Sequence, residues 1–274
     1  MPTYRLDIEY DGTDWFGWQT QPDRPTIQHA IETALGVALR REASITGSGR
    51  TDTGVHARGQ VAHIVLDADV DPGRLCRSVN GILPKSIAVR SIRRTNEAFH
   101  ARYDALVREY RYQICCEPVA LERTFRWHVK PEPDFERMNE AARALIGTRN
   151  FTSFCRASSE TRNRVCNVSQ AEWEAERRAG NWSFLISADR FLHGMVRSIV
   201  GTLIDVGHGR RPAGDIDAIL QSEDRRSAGA AAPAHGLVLE CVRYASDQAC
   251  SHLLGHEEQP PDASEHADNR SIGH

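Results

Sequence analysis

The chain has 274 residues, 40% hydrophobic and 26% charged, with a formal net charge of −3. That length suits one or two globular domains with buried cores, and no apolar run is long enough to span a membrane. The start MPTYRLDIEYDGTDWF has no basic segment leading into an apolar one, so it does not read as a signal peptide, and seven cysteines without a CxxC pair point to reduced thiols in a cytoplasmic protein.

TYRLDIEY alternates, with Tyr4, Leu6, Ile8 and Tyr10 on one face, and predicts a strand. TIQHAIETALGVALRR follows with Ile27, Ala30, Ile31, Ala34, Leu35, Ala38 and Leu39 on one helical stripe and Thr26 as N-cap. A short strand in ASITGS comes next, then a glycine-rich loop and a further strand, GQVAHIVLD. DPGRLCRSVNGIL predicts a helix with Pro72 in its first turn, and SIAVRSIRRT another strand. The order strand, helix, strand, strand, helix, strand is that of a ferredoxin-like split βαβ unit.

The order then repeats with embellishments. ALVREYRYQICC predicts a strand, DFERMNEAARALIG a helix, and RNRVCNVSQAEWEAE with NWSFLISAD a hairpin around RRAG. FLHGMVRSIVGTLIDVG predicts an apolar helix over residues 191–206, DIDAILQS a shorter one, and GLVLECVRY the closing strand. The expected fold is α+β: two ferredoxin-like halves, residues 1–104 and 105–244, sharing a central antiparallel sheet with a cleft between them. Residues 245–274 hold six acids and one base and predict a disordered acidic tail; before them stand 33 basic and 31 acidic residues. Of the bases only Lys85 and Lys130 are lysine, and an arginine-rich surface suits bidentate phosphate contacts or simply reflects a GC-rich genome.

The loop and strand start GSGRTDTGVHARGQVAH, residues 47–63, places a single carboxylate, Asp52, among Arg50, Arg58, His56 and His63. A phosphate loop is excluded, because Asp52 stands where a third glycine belongs and no Gly-Lys-Ser/Thr follows. A zinc site from Asp52, His56 and His63 lacks an HExxH or cysteine pair and would set Arg50 against the ion. A plain Asx turn with a surface ion pair satisfies the same residues without any chemistry. The fourth reading is an ionised aspartate acting as nucleophile or base in a cationic cleft. Burial alone disfavours the carboxylate and a neighbouring cation favours it, so such a site needs an arginine partner that cannot lose its proton.

GRTDTGVHARGQVAH resembles the active-site motif of the tRNA pseudouridine synthase A family. YDGTDWFGWQTQP, NGILPKSIAVR, FHARYDA, REYRY, LIGTRNFTSF, FLHGMVRSIVGTLIDVG and AAPAHGLVLECVRY resemble the family's other signatures, in its order, across residues 4–244. The resemblance implies two α/β halves around a cleft, a homodimer, and isomerisation of uridine to pseudouridine at positions 38, 39 and 40 of the tRNA anticodon stem-loop. No metal, nucleotide or redox cofactor is expected, since the reaction conserves atoms. Asp52 matches the family's nucleophile, attacking ribose C1′ or base C6. Arg197, on one helix face with Gly194 and Gly201, is assigned as the partner holding Asp52 ionised, the glycines allowing another backbone to come close. Tyr110 matches the tyrosine that stacks on uracil and helps remove the C5 proton, with Tyr112 on the same strand face as a core residue. Arg50 matches a cation that offsets the cost of extruding the base, and Leu237 and Leu239 both fit an apolar clamp. His56 is assigned as loop organiser and phosphate donor, and Arg58 receives no role.

Between Tyr103 and Tyr110 this chain departs from the family, with Leu106, Val107 and Glu109 where small residues and a second base are usual. Arg24, Arg77, Arg102, Arg108, Arg162 and Arg164 are candidates for an electrostatic footprint. Two alternatives stay open: a non-catalytic RNA-binding module on the same fold, and a metal-dependent hydrolase using Asp52, His56 and His63.

Overall fold

The structure, a computed structural model, describes residues 1–157, 161–245 and 247. The expected acidic tail therefore lies outside the described residues except for Ala245 and Asp247. Asp247 pairs with Arg5 of the first strand at 2.6 Å.

In chain order the strands are β1 (Thr3–Tyr10), β2 (Thr46–Gly47), β3 (His56–Val65), β4 (Ile87–Thr95), β5 (Ala105–Cys115), β6 (Trp127–His128), β7 (Gly147–Asn150), β8 (Val165–Ala175), β9 (Asn181–Ala188) and β10 (Leu237–Tyr244). The helices are α1 (Ile27–Leu39), α2 (Pro72–Ile82), α3 (Phe135–Ala142), α4 (Met195–Gly207) and α5 (Asp215–Ser222). One sheet takes in all ten strands, along the path β4-β1-β3-β10-β5-β9-β8-β7, with β2 on β3 and β6 on β5. Within it, β1 to β4 lie as β4-β1-β3-β2, and β5, β8, β9 and β10 lie as β10-β5-β9-β8. The two halves thus share one strand order, as the repeated pattern predicts. Their junction is a parallel pair, His56 and Ala57 of β3 against Val238 and Leu239 of β10, in a sheet that is otherwise mostly antiparallel.

Local chemistry accounts for the elements. Tyr4, Leu6, Ile8 and Tyr10 are all buried, which fixes the register of β1 because a one-residue slip would expose the whole set. On α1, Ile27, Ile31, Ala34 and Leu35 are buried; Thr26 stands at the N-cap, but its Oγ1 is buried without a partner and caps nothing. Asp71 caps α2, accepting from the Arg74 amide, with Pro72 behind it. The apolar helix starts at Met195 rather than 191, because Gly194 takes φ +71 and ends the non-helical approach. One core cluster gathers β1, α1 and α2 with Leu239, Val242 and Tyr244 of β10; the other gathers α3, α4 and the C-terminal strands with Val55 and Leu237. β10 therefore contributes to both cores, and the segment around residues 52–57 lies where they meet.

Candidate active site

The loop between β2 and β3 is pinned through its backbone. Ser48 donates its hydroxyl to Gln60, whose amide returns to the Gly49 carbonyl. The Trp18 amide donates to the Thr51 carbonyl at 3.1 Å, and the Thr51 and Tyr10 hydroxyls meet at 2.7 Å. Residues 11–18 lie directly on the loop: a Cβ on Gly12 would sit 2.0 Å from the Val55 carbonyl oxygen. The Val55 amide closes a turn onto the Asp52 carbonyl, which leaves the Asp52 side chain, 21% exposed, to point away from that clamp.

Asp52 meets the other half of the molecule. Arg197 Nη1 donates to Oδ2 at 3.2 Å, across 145 residues of chain. Arg197 is itself held, its Nε donating to the Ala232 carbonyl at 2.7 Å and its own carbonyl accepting from the Ala232 amide. That strap of residues 230–232 runs against α4 because residue 201 is glycine; a Cβ there would lie 1.8 Å from the Ala230 carbonyl oxygen. Of the two glycines flanking Arg197, then, Gly201 admits a neighbouring backbone, while Gly194 supplies a helix-starting conformation. His193 Nε2 lies 3.1 Å from the second oxygen, Oδ1. Sequence reasoning missed this histidine, which lies in the turn before α4 and is brought to Asp52 by the fold.

Tyr110 is half-buried on β5, edge-on to Phe191 with ring centroids 5.1 Å apart. Burial, then the neighbouring Tyr10 and Asp52, push its phenol above the ordinary range, so it is protonated at neutral pH. Tyr112 is fully buried and donates to the Pro233 carbonyl at 2.8 Å. Leu239 lies opposite Tyr110 in the β5–β10 ladder and Leu237 opposite Tyr112, both buried.

The remaining expected residues divide by what they touch. His56 is 2% exposed: its Nδ1 accepts from the Gly12 amide, its Nε2 donates to the His235 carbonyl, and its ring packs on Phe125. Burial lowers its pKa, which fits this neutral tautomer. These bonds tie the start of β3 to residues 12 and 235. The Asp11 carboxylate also lies 3.1 Å from Nδ1. Arg50 is exposed at the loop's rim, and Arg58 pairs with Glu240. Arg108 donates to the carbonyls of Ala105, Asp189, Ser48 and Arg102, so it clips backbone segments together rather than offering a free charge. Arg24 covers the Phe16 ring, Arg102 lies over Tyr103, Arg164 points at the Cys155 thiol, and Arg77 and Arg162 are exposed. Of the departures from the family pattern, Glu109 pairs with Arg243 and Cys241, Leu106 is exposed and Val107 half-buried. Asp52, His56 and His63 do not converge: His63 accepts from the Ala101 amide, away from the loop. Among the described residues no group of three His, Cys, Asp or Glu is placed to hold a metal ion, and no helix is long and apolar enough to cross a membrane.

A family model described as tRNA pseudouridine synthase matches residues 8–104 and 141–245. The chain is 39% identical over 248 residues to tRNA pseudouridine synthase A of Bacteroides thetaiotaomicron, covering 90% of this chain and 92% of that one. It is 41% identical over 244 residues to the tRNA pseudouridine synthase A of Chlorobaculum tepidum, covering 88% and 98%.

Proposed function

Because this chain belongs to the tRNA pseudouridine synthase family, we propose that it isomerises uridine to pseudouridine at positions 38, 39 and 40 of the tRNA anticodon stem-loop, with Asp52 as nucleophile. The observation that carries the reading is the Asp52 carboxylate at the seam of the two halves, held by Arg197 and beside Tyr110. The target uridine leaves its stack at a cost of a few kcal/mol. Arg50, exposed at the rim, offsets part of that cost by filling the vacated space or binding the flanking phosphate. Tyr110 stacks on the uracil, a contact worth about 1–3 kcal/mol, and Leu237 and Leu239 supply the apolar wall beside it.

Asp52 attacks C1′ or C6, the N1–C1′ bond breaks, the uracil turns, C5 bonds to C1′, and the bond to Asp52 breaks to release the free carboxylate. C5 then gives up its proton and N1 gains one, so product and substrate are isomers. A phenol held protonated accepts the C5 proton only as its own proton leaves, which makes stacking the larger part of Tyr110's role. We also read the protein as a cytoplasmic homodimer built from halves 1–104 and 105–244.

The test is Asp52→Asn with a tRNA transcript carrying tritium at uridine C5. Tritium release should fall at least about a thousandfold while tRNA binding persists, and wild-type turnover should survive EDTA. Substantial turnover by the variant would refute the nucleophile. Binding without product in the wild type would favour a non-catalytic RNA-binding module.

A further inference from the structure

We propose that His193 is a displaceable cap on Asp52, and that the oxygen it covers, Oδ1, is the attacking one. The inference rests on Asp52 being the nucleophile. The two oxygens are held differently. Oδ2 faces Arg197, whose guanidinium is fixed by the Ala232 carbonyl and whose backbone lies inside α4. Oδ1 faces His193, which precedes the helix and is 41% exposed. The His193 carbonyl accepts from the Arg156 amide at 2.9 Å, which fixes its backbone, while its ring is exposed. Displacing the ring breaks its contact with Asp52 and a long one, 3.5 Å, with Arg156; displacing the arginine breaks its contact with Asp52 and the 2.7 Å bond to the Ala232 carbonyl.

A substrate carbon that bonds to Oδ1, whether C1′ or C6, must enter the space that the imidazole occupies, and a donor on that oxygen lowers its nucleophilicity. The charged groups facing the ring are Asp52, Arg156 at 3.5 Å and, on the adjoining helix, Arg197. The cap therefore opposes substrate by about the worth of one hydrogen bond to a carboxylate oxygen. His193 acts here as a positioning residue.

The experiment measures kcat and KM for C5-tritium release in wild type, His193→Ala and His193→Gln, with Asp52→Asn as control. His193→Ala should raise kcat/KM about fivefold, the scale of one hydrogen bond that substrate no longer has to displace, and chiefly through a lower KM. His193→Gln keeps a side-chain donor and should gain less. An alanine variant no faster than wild type in kcat/KM overturns the cap. If Asp52→Asn is inactive in that case, only the cap falls; if it turns over, the nucleophile falls with it.

Discussion

The two halves follow one strand order but differ at their second strand. In the C-terminal half that strand is β8, eleven residues paired along β9; in the N-terminal half it is β2, two residues on β3. Beyond β2 the chain leaves the sheet as the acidic loop, and the edge of β3 left uncovered at His56 and Ala57 is taken by β10. A single shortening thus creates both the joint between the halves and the loop that carries Asp52. This is why the carboxylate of one half meets the arginine of the other.

The largest effect should come from breaking that joint. A Cβ at Gly59 would lie 2.3 Å from the Glu240 carbonyl oxygen, where β10 closes on β3. Gly59→Val should destabilise the protein by about 3 kcal/mol, read as a lower urea midpoint, and abolish tritium release. A variant of wild-type stability and activity would show that the joint does not depend on this approach.

Arg197 tests the same joint at the site itself. Arg197→Ala should lower kcat about 100- to 1000-fold, the scale of removing one preorganised charged donor. Arg197→Lys keeps the charge but cannot bond both Asp52 and the Ala232 carbonyl in the same way. If lysine is nearly as slow as alanine, position matters more than charge; full activity with lysine would reverse that conclusion.

His56 sharpens the comparison through pH. Its folded pKa is lowered by burial, so the unfolded chain binds the proton more readily and stability is lost as pH falls below about 6.5. His63 is lowered in the same direction and contributes in the same window. His56→Gln should therefore flatten, without abolishing, the fall in Tm between pH 7 and pH 5, by about 2–4 °C. An unchanged slope would mean that the ring is not buried neutral.

Much of this was legible in the sequence for physical reasons. Tyr4, Leu6, Ile8 and Tyr10 announce their face by period two, and DIDAILQS matches α5 in full. What was not legible depends on distant partners. The parallel β3–β10 joint has no local signature, and two of the four carbonyls around Arg108, those of Ser48 and Asp189, come from distant segments. The strands β6 and β7 are too short to show a period. His193 stood inside an apolar run read as helix, and only the fold turns it toward Asp52. The backbone groups that meet the two His56 ring nitrogens, from residues 12 and 235, are likewise brought there only by the fold.

The smallest effect should separate two tyrosines that the sequence sets on one strand face. Tyr112 sits in the C-terminal core, and its hydroxyl holds the Pro233 carbonyl just before the segment leading into β10. Tyr112→Phe leaves the ring in place and removes one buried hydrogen bond, so it should cost about 1 kcal/mol and leave tritium release near wild type. Tyr110→Phe keeps the stacking face and removes the proton-carrying oxygen, so its loss should appear in kcat rather than in Tm. If instead Tyr112→Phe slowed catalysis as much as Tyr110→Phe, the Pro233 contact would be setting the site's geometry through β10, and the division between a structural and a substrate-facing tyrosine would fail.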